Sequence, residues 1–103
     1  MTRGHLADSA SAPDEGERVE QLVAGDDVAV EHIVSGRVAS AVEFDQDHDE
    51  WVVVLEGSAQ LEVMGRSASL AAGDWLLLPR GTPHVLVHTE PGTRWLAVRF
   101  GSR

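Results

Sequence analysis

Cysteine, lysine and tyrosine are all missing from this chain, and each absence removes a class of chemistry. Without cysteine there is no disulfide framework, no thiolate metal site and no thiol nucleophile, a usage that fits an intracellular protein. Without lysine, Schiff-base chemistry is excluded. The eight basic residues are therefore all arginine, set against seventeen acidic ones for a formal charge of −9. That balance lacks the clustered cations on which nucleic-acid and anionic-membrane binders depend. Acid–base work is left to His, Asp and Glu. No apolar run approaches a membrane span, and the opening residues MTRGHLADSASAPDEGER have no apolar stretch of the length a secretory signal needs. These features predict a soluble, cytoplasmic protein with neither a nucleic-acid nor a membrane partner.

A length of 103 residues suits one domain with a single core and one modest site. Residues 1–18 are small, polar and acidic without periodicity, which predicts a flexible acidic tail ahead of a single domain over 19–103. The stretch GERVEQLVAG offers at most one or two helical turns, because its apolar positions are too few to bury a stripe. Everything after it reads as strand. Val28 to Val34 and Val38 to Phe44 are β-branched or extended runs separated by Ser35-Gly36. WVVVL over 51–55 is the strongest strand, and Gly57-Ser58 turns it into Gln60 to Met64, where Leu61 and Val63 alternate with Gln60 and Glu62. Trp75 to Leu78, Val85 to Val87 and Trp95 to Phe100 complete the set. Short strands with a turn signal every eight to twelve residues predict an all-β sandwich or barrel.

The stretch GDWLLLPRGTPHVLVH, residues 73–88, spaces glycine, proline, glycine and two histidines as a barrel corner would. Gly73-Asp74 turns into a short apolar strand, Pro79 ends it because it has no N–H to donate, and Gly81 supplies the freedom to reverse. If residues 84–88 are extended, the period of two puts His84, Leu86 and His88 on one face. On an inward face these imidazoles would be hydrogen-bonded core groups or metal ligands. His32 and the turn at Gly25-Asp26-Asp27 read as surface features, and Arg80 falls at the rim.

On these residues the chain resembles the cupin superfamily of small β-barrels over roughly residues 28–100. The second cupin motif, G(X)5PXG(X)2H(X)3N, is matched in register by Gly73, Pro79, Gly81 and His84, with His88 where asparagine is usual. The first motif, G(X)5HXH(X)3,4E(X)6G, is matched in its second half by Glu50 and Gly57, whereas Phe44 and Gln46 stand at its two histidine positions. The whole is similar to a subgroup of small bacterial cupins of unassigned activity. The resemblance implies a small jelly-roll antiparallel barrel whose lumen holds a divalent ion (zinc, iron, manganese or nickel), with Gln46, His48, Glu50 and His84 as its candidate ligands. Loss of two nitrogen donors would weaken such a site.

Two functional classes follow. In one, the ion acts as a Lewis acid on a small organic substrate while Glu50, His84 and His88 serve as the catalytic residues of an isomerase, cyclase or lyase. In the other, the barrel is a metal-free module that binds a small molecule or carbohydrate without catalysis. One fold hosts both. Trp51, Trp75 and Trp95 sit in apolar strands, and Trp51 faces away from Glu50. A homodimer through sheet packing is the expected assembly.

Overall fold

The computed structural model describes residues 1–44 and 47–101. Its strands are β1 (Glu17–Ala24), β2 (Val28–Ser35), β3 (Val42–Phe44), β4 (Asp49–Glu56), β5 (Ser58–Val63), β6 (Arg66–Ala71), β7 (Trp75–Leu78), β8 (His84–Thr89) and β9 (Thr93–Phe100). They form a five-stranded sheet in the order β1-β2-β9-β4-β7 and a four-stranded sheet in the order β3-β8-β5-β6. Every pairing between these strands is antiparallel. The fold is the all-β barrel that the strand pattern predicts. No helix among the described residues is long and apolar enough to cross a membrane.

Alternation explains how the sheets enclose a core. In β4, Val52 and Val54 are buried between the sheets, and in β9 Trp95 and Ala97 are buried directly across from them. From the opposite sheet Ala59 and Leu61 of β5, Leu70 of β6 and Leu86 of β8 complete the cluster. Burying such side chains contributes roughly 1.5–3 kcal/mol each against exposure. The other face of β4 and β7 points away from the core, where Trp51 and Trp75 lie with ring centroids 6.1 Å apart, so Trp51 does turn away from Glu50.

Three expectations need correction. The stretch GERVEQLVAG is a strand, since β1 takes up Glu17–Ala24 and pairs along β2. It lies at the sheet edge with every residue exposed, so it carries no alternation for a sequence reading to detect. Residues before it hold a 3-10 turn at Ser9–Ser11 and an isolated parallel bridge between Glu15 and Arg37, and backbone bonds fasten their end to the barrel. Gly16 donates to Arg37 O at 3.1 Å, Gly36 donates to Gly16 O at 2.8 Å and Arg37 donates to Asp14 O at 3.0 Å. Gly36 sits so close that a Cβ there would lie 1.9 Å from Pro13 O.

The second correction concerns His88. The β5–β8 register shifts between Gln60 and Leu61, which oppose His88 and Leu86, leaving Val87 as an extra residue. Such a bulge reverses the inward and outward order beyond it. Thr89 is consequently buried and His88 exposed. The third is His32. It is 1% exposed, on the face of β2 that points away from the lumen. The adjoining row of that face contains Val34 and Arg94, which oppose one another, and Arg94 Nε donates to Ala7 O at 3.1 Å. The N-terminal segment thus lies over this part of the sheet.

Candidate functional site in the barrel lumen

Between the sheets lies a cavity of about 410 Å3. Its inner wall is apolar, built from Val52, Leu61, Leu78, Leu86 and Trp95 among others, and its polar groups are Glu17, Glu31, His48, Glu50, His84 and Arg99. Each arrives by strand parity. Glu50 stands two residues before Val52 on β4, and Arg99 stands two after Ala97 on β9, so both continue the inward rows. The same rule places Glu31 with Ile33 on β2 and Glu17 with Val19 on β1.

His84 opens β8 after the Pro79–Thr82 turn, in which Thr82 donates to Pro79 O at 3.1 Å and Gly81 takes a φ of +76°. That left-handed conformation is why glycine is required there. The ring of His84 is 4% exposed at the residue level, with Nδ1 3.0 Å from Thr82 O. A carbonyl only accepts, so Nδ1 carries the proton and Nε2 of the neutral ring carries the lone pair. Across the mouth, Asp49 Oδ1 accepts the backbone N–H of Arg80 at 2.8 Å. This bond ties the start of β4, and with it Glu50, to the turn that delivers His84. Arg80 itself is exposed.

Glu17 is held from behind by a buried chain. Trp95 Nε1 donates to Ser35 Oγ at 3.0 Å, and Ser35 Oγ donates to Glu17 Oε2 at 3.0 Å. Desolvation raises the Glu17 pKa above its ordinary value, the Ser35 hydrogen bond pulls it back in part, and the neighbouring charges of Glu50 and Glu31 push it further up. Arg99 Nη2 donates to Glu31 Oε2 at 3.0 Å, and Arg99 lies directly opposite Glu50 in the β4–β9 register. Buried Arg99 Nε and buried His48 Nε2 have no hydrogen-bond partner among the described residues. His48 Nδ1 lies 3.4 Å from Asp47 Oδ1.

The structure therefore brings His48, Glu50 and His84 to one cavity and leaves His88 outside it. Gln46 lies outside the described residues. Among the described residues no three His, Cys, Asp or Glu side chains gather into a group suited to an ion, and Gln46, one of the four ligands that the motif resemblance implies, is not among the described residues. Glu17, Glu31 and Arg99 were not foreseen. Arg99 was accessible in principle from the alternation Trp95, Ala97, Arg99. Glu17 left no signal, because β1 itself left none.

A family model described as "Cupin domain" matches residues 29–99. The chain belongs to the cupin family. Among solved cupin structures, a proposed mannose-6-phosphate isomerase from Ralstonia eutropha JMP134 is 31% identical with a TM-score of 0.82, over 97% of this chain and 100% of that one. KdgF from a Halomonas species is 22% identical with a TM-score of 0.76, over 85% of this chain and 81% of that one. An RmlC-like cupin from Shewanella frigidimarina is 20% identical with a TM-score of 0.73, over 98% of this chain and 94% of that one. The last two show the cupin fold alone. No curated protein matches the chain.

Proposed function

We propose that this cupin binds a small organic molecule directly in its lumen, with the apolar part against Trp95, Leu78 and Leu86 and the polar part against Glu50, His84 and Glu17. The observation that carries this reading is the cavity of about 410 Å3 between the sheets, lined by apolar side chains and by six polar groups, the form that small-molecule sites take. A purely structural role is disfavoured. Polar groups at an enclosed surface are costly unless they meet partners. In this reading the ligand meets the side chains themselves, without an ion between them. Elemental analysis of the purified protein and of His84→Ala tests it. Substoichiometric metal in both, with saturable resonance shifts of lumen residues in a fragment screen, is the expected result. Near-stoichiometric metal lost in His84→Ala would overturn it.

Proton transfer is the second reading, favoured by the placement of Glu50 and His84 on one cavity. A carboxylate and an imidazole facing one ligand suit an isomerase or lyase step, one taking and one returning a proton. The proposed isomerase from Ralstonia eutropha, 31% identical, lends this reading support. Turnover abolished in both Glu50→Gln and His84→Ala, with retained ligand binding, would mark the lumen as catalytic.

The proposed assembly is a homodimer through the outward face of β4, β7 and β9. Trp75, Leu77 and Phe100 are 58%, 51% and 37% exposed there. The outward positions Trp51, Val53, Leu55, Leu96 and Val98 extend this patch, and Glu56 at its border is paired with Arg94 at 3.2 Å, so two copies of a chain of formal charge −9 can meet on its apolar part.

A further inference from the structure

We propose that the lumen selects a small organic cation, an ammonium-bearing molecule with an apolar body, and that Glu17 is the residue that sets this preference. The inference rests on the lumen being a small-molecule site. The cavity makes the site, and its polar groups set the sign of charge it accepts. Three carboxylates, Glu17, Glu31 and Glu50, line it with one guanidinium, Arg99. That guanidinium is already engaged, since Arg99 Nη2 is 3.0 Å from Glu31 Oε2 and Glu50 stands opposite in register. The imidazoles of His48 and His84 add positive charge only when protonated. A phosphate or carboxylate entering the lumen therefore meets an excess of like charge in a partly desolvated space, where screening is weak. An ammonium head meets acceptors, and its apolar body meets Leu78, Leu86 and Trp95. The Arg99 Nε donor suits a neutral ligand oxygen.

Glu17 is the determinant because its carboxylate is built in place. Ser35 is 1% exposed and Trp95 is 5% exposed, and their hydrogen bonds run in one direction, indole to hydroxyl to carboxylate. Ser35 Oγ accepts one hydrogen and gives its own, which orients Glu17 Oε2 at fixed geometry. Glu31 is committed to Arg99. Glu17, by contrast, has no arginine bonded to it among the described residues, and a neighbouring ammonium would stabilise its charged form.

Three probes of one shape and different charge test the proposal: benzylamine, benzyl alcohol and benzoate, titrated into isotopically labelled full-length protein at pH 8 and low ionic strength. Benzylamine is expected to shift lumen resonances and to bind at least about tenfold more tightly than benzyl alcohol, as a charge-assisted hydrogen bond implies, with benzoate weaker than both. Glu17→Gln, which keeps an acceptor for Ser35, is expected to lose most of the benzylamine advantage, while Glu62→Gln on the exposed face of β5 keeps it. Equal or tighter binding of benzyl alcohol or benzoate overturns the cation preference and leaves the lumen reading standing. An advantage unchanged in Glu17→Gln overturns the assignment to Glu17. If none of the three shifts a lumen resonance, the lumen reading falls as well. Should Glu17→Gln fail to fold, the comparison of the three probes on the unaltered protein still decides the preference.

Discussion

At the scale of single residues, two titratable groups among the described residues have displaced pKa values, Glu17 and His32, and they give opposite pH dependences. Glu17 is raised above its ordinary value near 4.5, so between that value and its folded one the folded chain holds the proton more tightly than the unfolded chain. Its contribution to stability is complete below this window and is lost as pH rises through it. Glu17→Gln removes the titration. Thermal melts are expected to show the variant gaining on the parent from pH 5 to pH 8, and a constant gap would count against the desolvated carboxyl. His32 is lowered from 6.5, by desolvation first and by Arg94 second, against a smaller opposing effect of Glu20. Its contribution is present above that ordinary value and lost as pH falls below it. Both of its ring nitrogens are buried without a hydrogen-bond partner among the described residues. His32→Leu is therefore expected to hold or gain about 1 kcal/mol at pH 7 and to flatten the loss of stability between pH 6.5 and 5. Chemical denaturation at those two pH values reads both effects.

At the scale of elements, backbone parity decided what the sequence could disclose. His84 and Glu50 were legible because turn residues at fixed spacing bracket them, and Leu61 and Val63 because their strand alternates cleanly. His88 was misread because the extra residue at Val87 shifts parity without altering composition. β1 was invisible for a different reason. It is attached by backbone pairing to β2, and main-chain hydrogen bonds leave no trace in side-chain pattern. His32 reads as a surface residue in sequence because it is polar and stands in a strand beside Glu31, and nothing in that local pattern signals that it is buried. The element that connects β2 to the N-terminal segment also gives a test. At Gly36 a Cβ would collide with the Pro13 carbonyl, a backbone group that cannot rotate aside. Gly36→Ala is expected to cost about 1–3 kcal/mol, the usual range for overpacking, and to increase amide exchange across β1 more than across β4. Uniform exchange in both strands would show that the Gly36 contact does not hold the edge.

At the scale of the whole molecule, one barrel presents two faces of different character. The lumen is lined by apolar side chains and three carboxylates, while the outward face of β4, β7 and β9 carries an apolar patch bordered by the Arg94–Glu56 pair. Trp75→Glu places a carboxylate on the apolar patch of that face, at its β7 edge. Light scattering is expected to give twice the chain mass of 11.1 kDa for the parent and a single chain mass for the variant, whereas a monomeric parent would remove the proposed dimer. The lumen and the sheet edge are also joined, because Glu17 belongs to the outermost strand of the five-stranded sheet. Edge strands are among the first parts of a sheet to open. A guest bridging Glu17 and Glu50 would fasten that edge to the interior, so occupancy and edge closure become a single equilibrium read from either end. The amides of β1 then serve as a built-in gauge, their exchange slowing in proportion to the fraction of barrels that are filled.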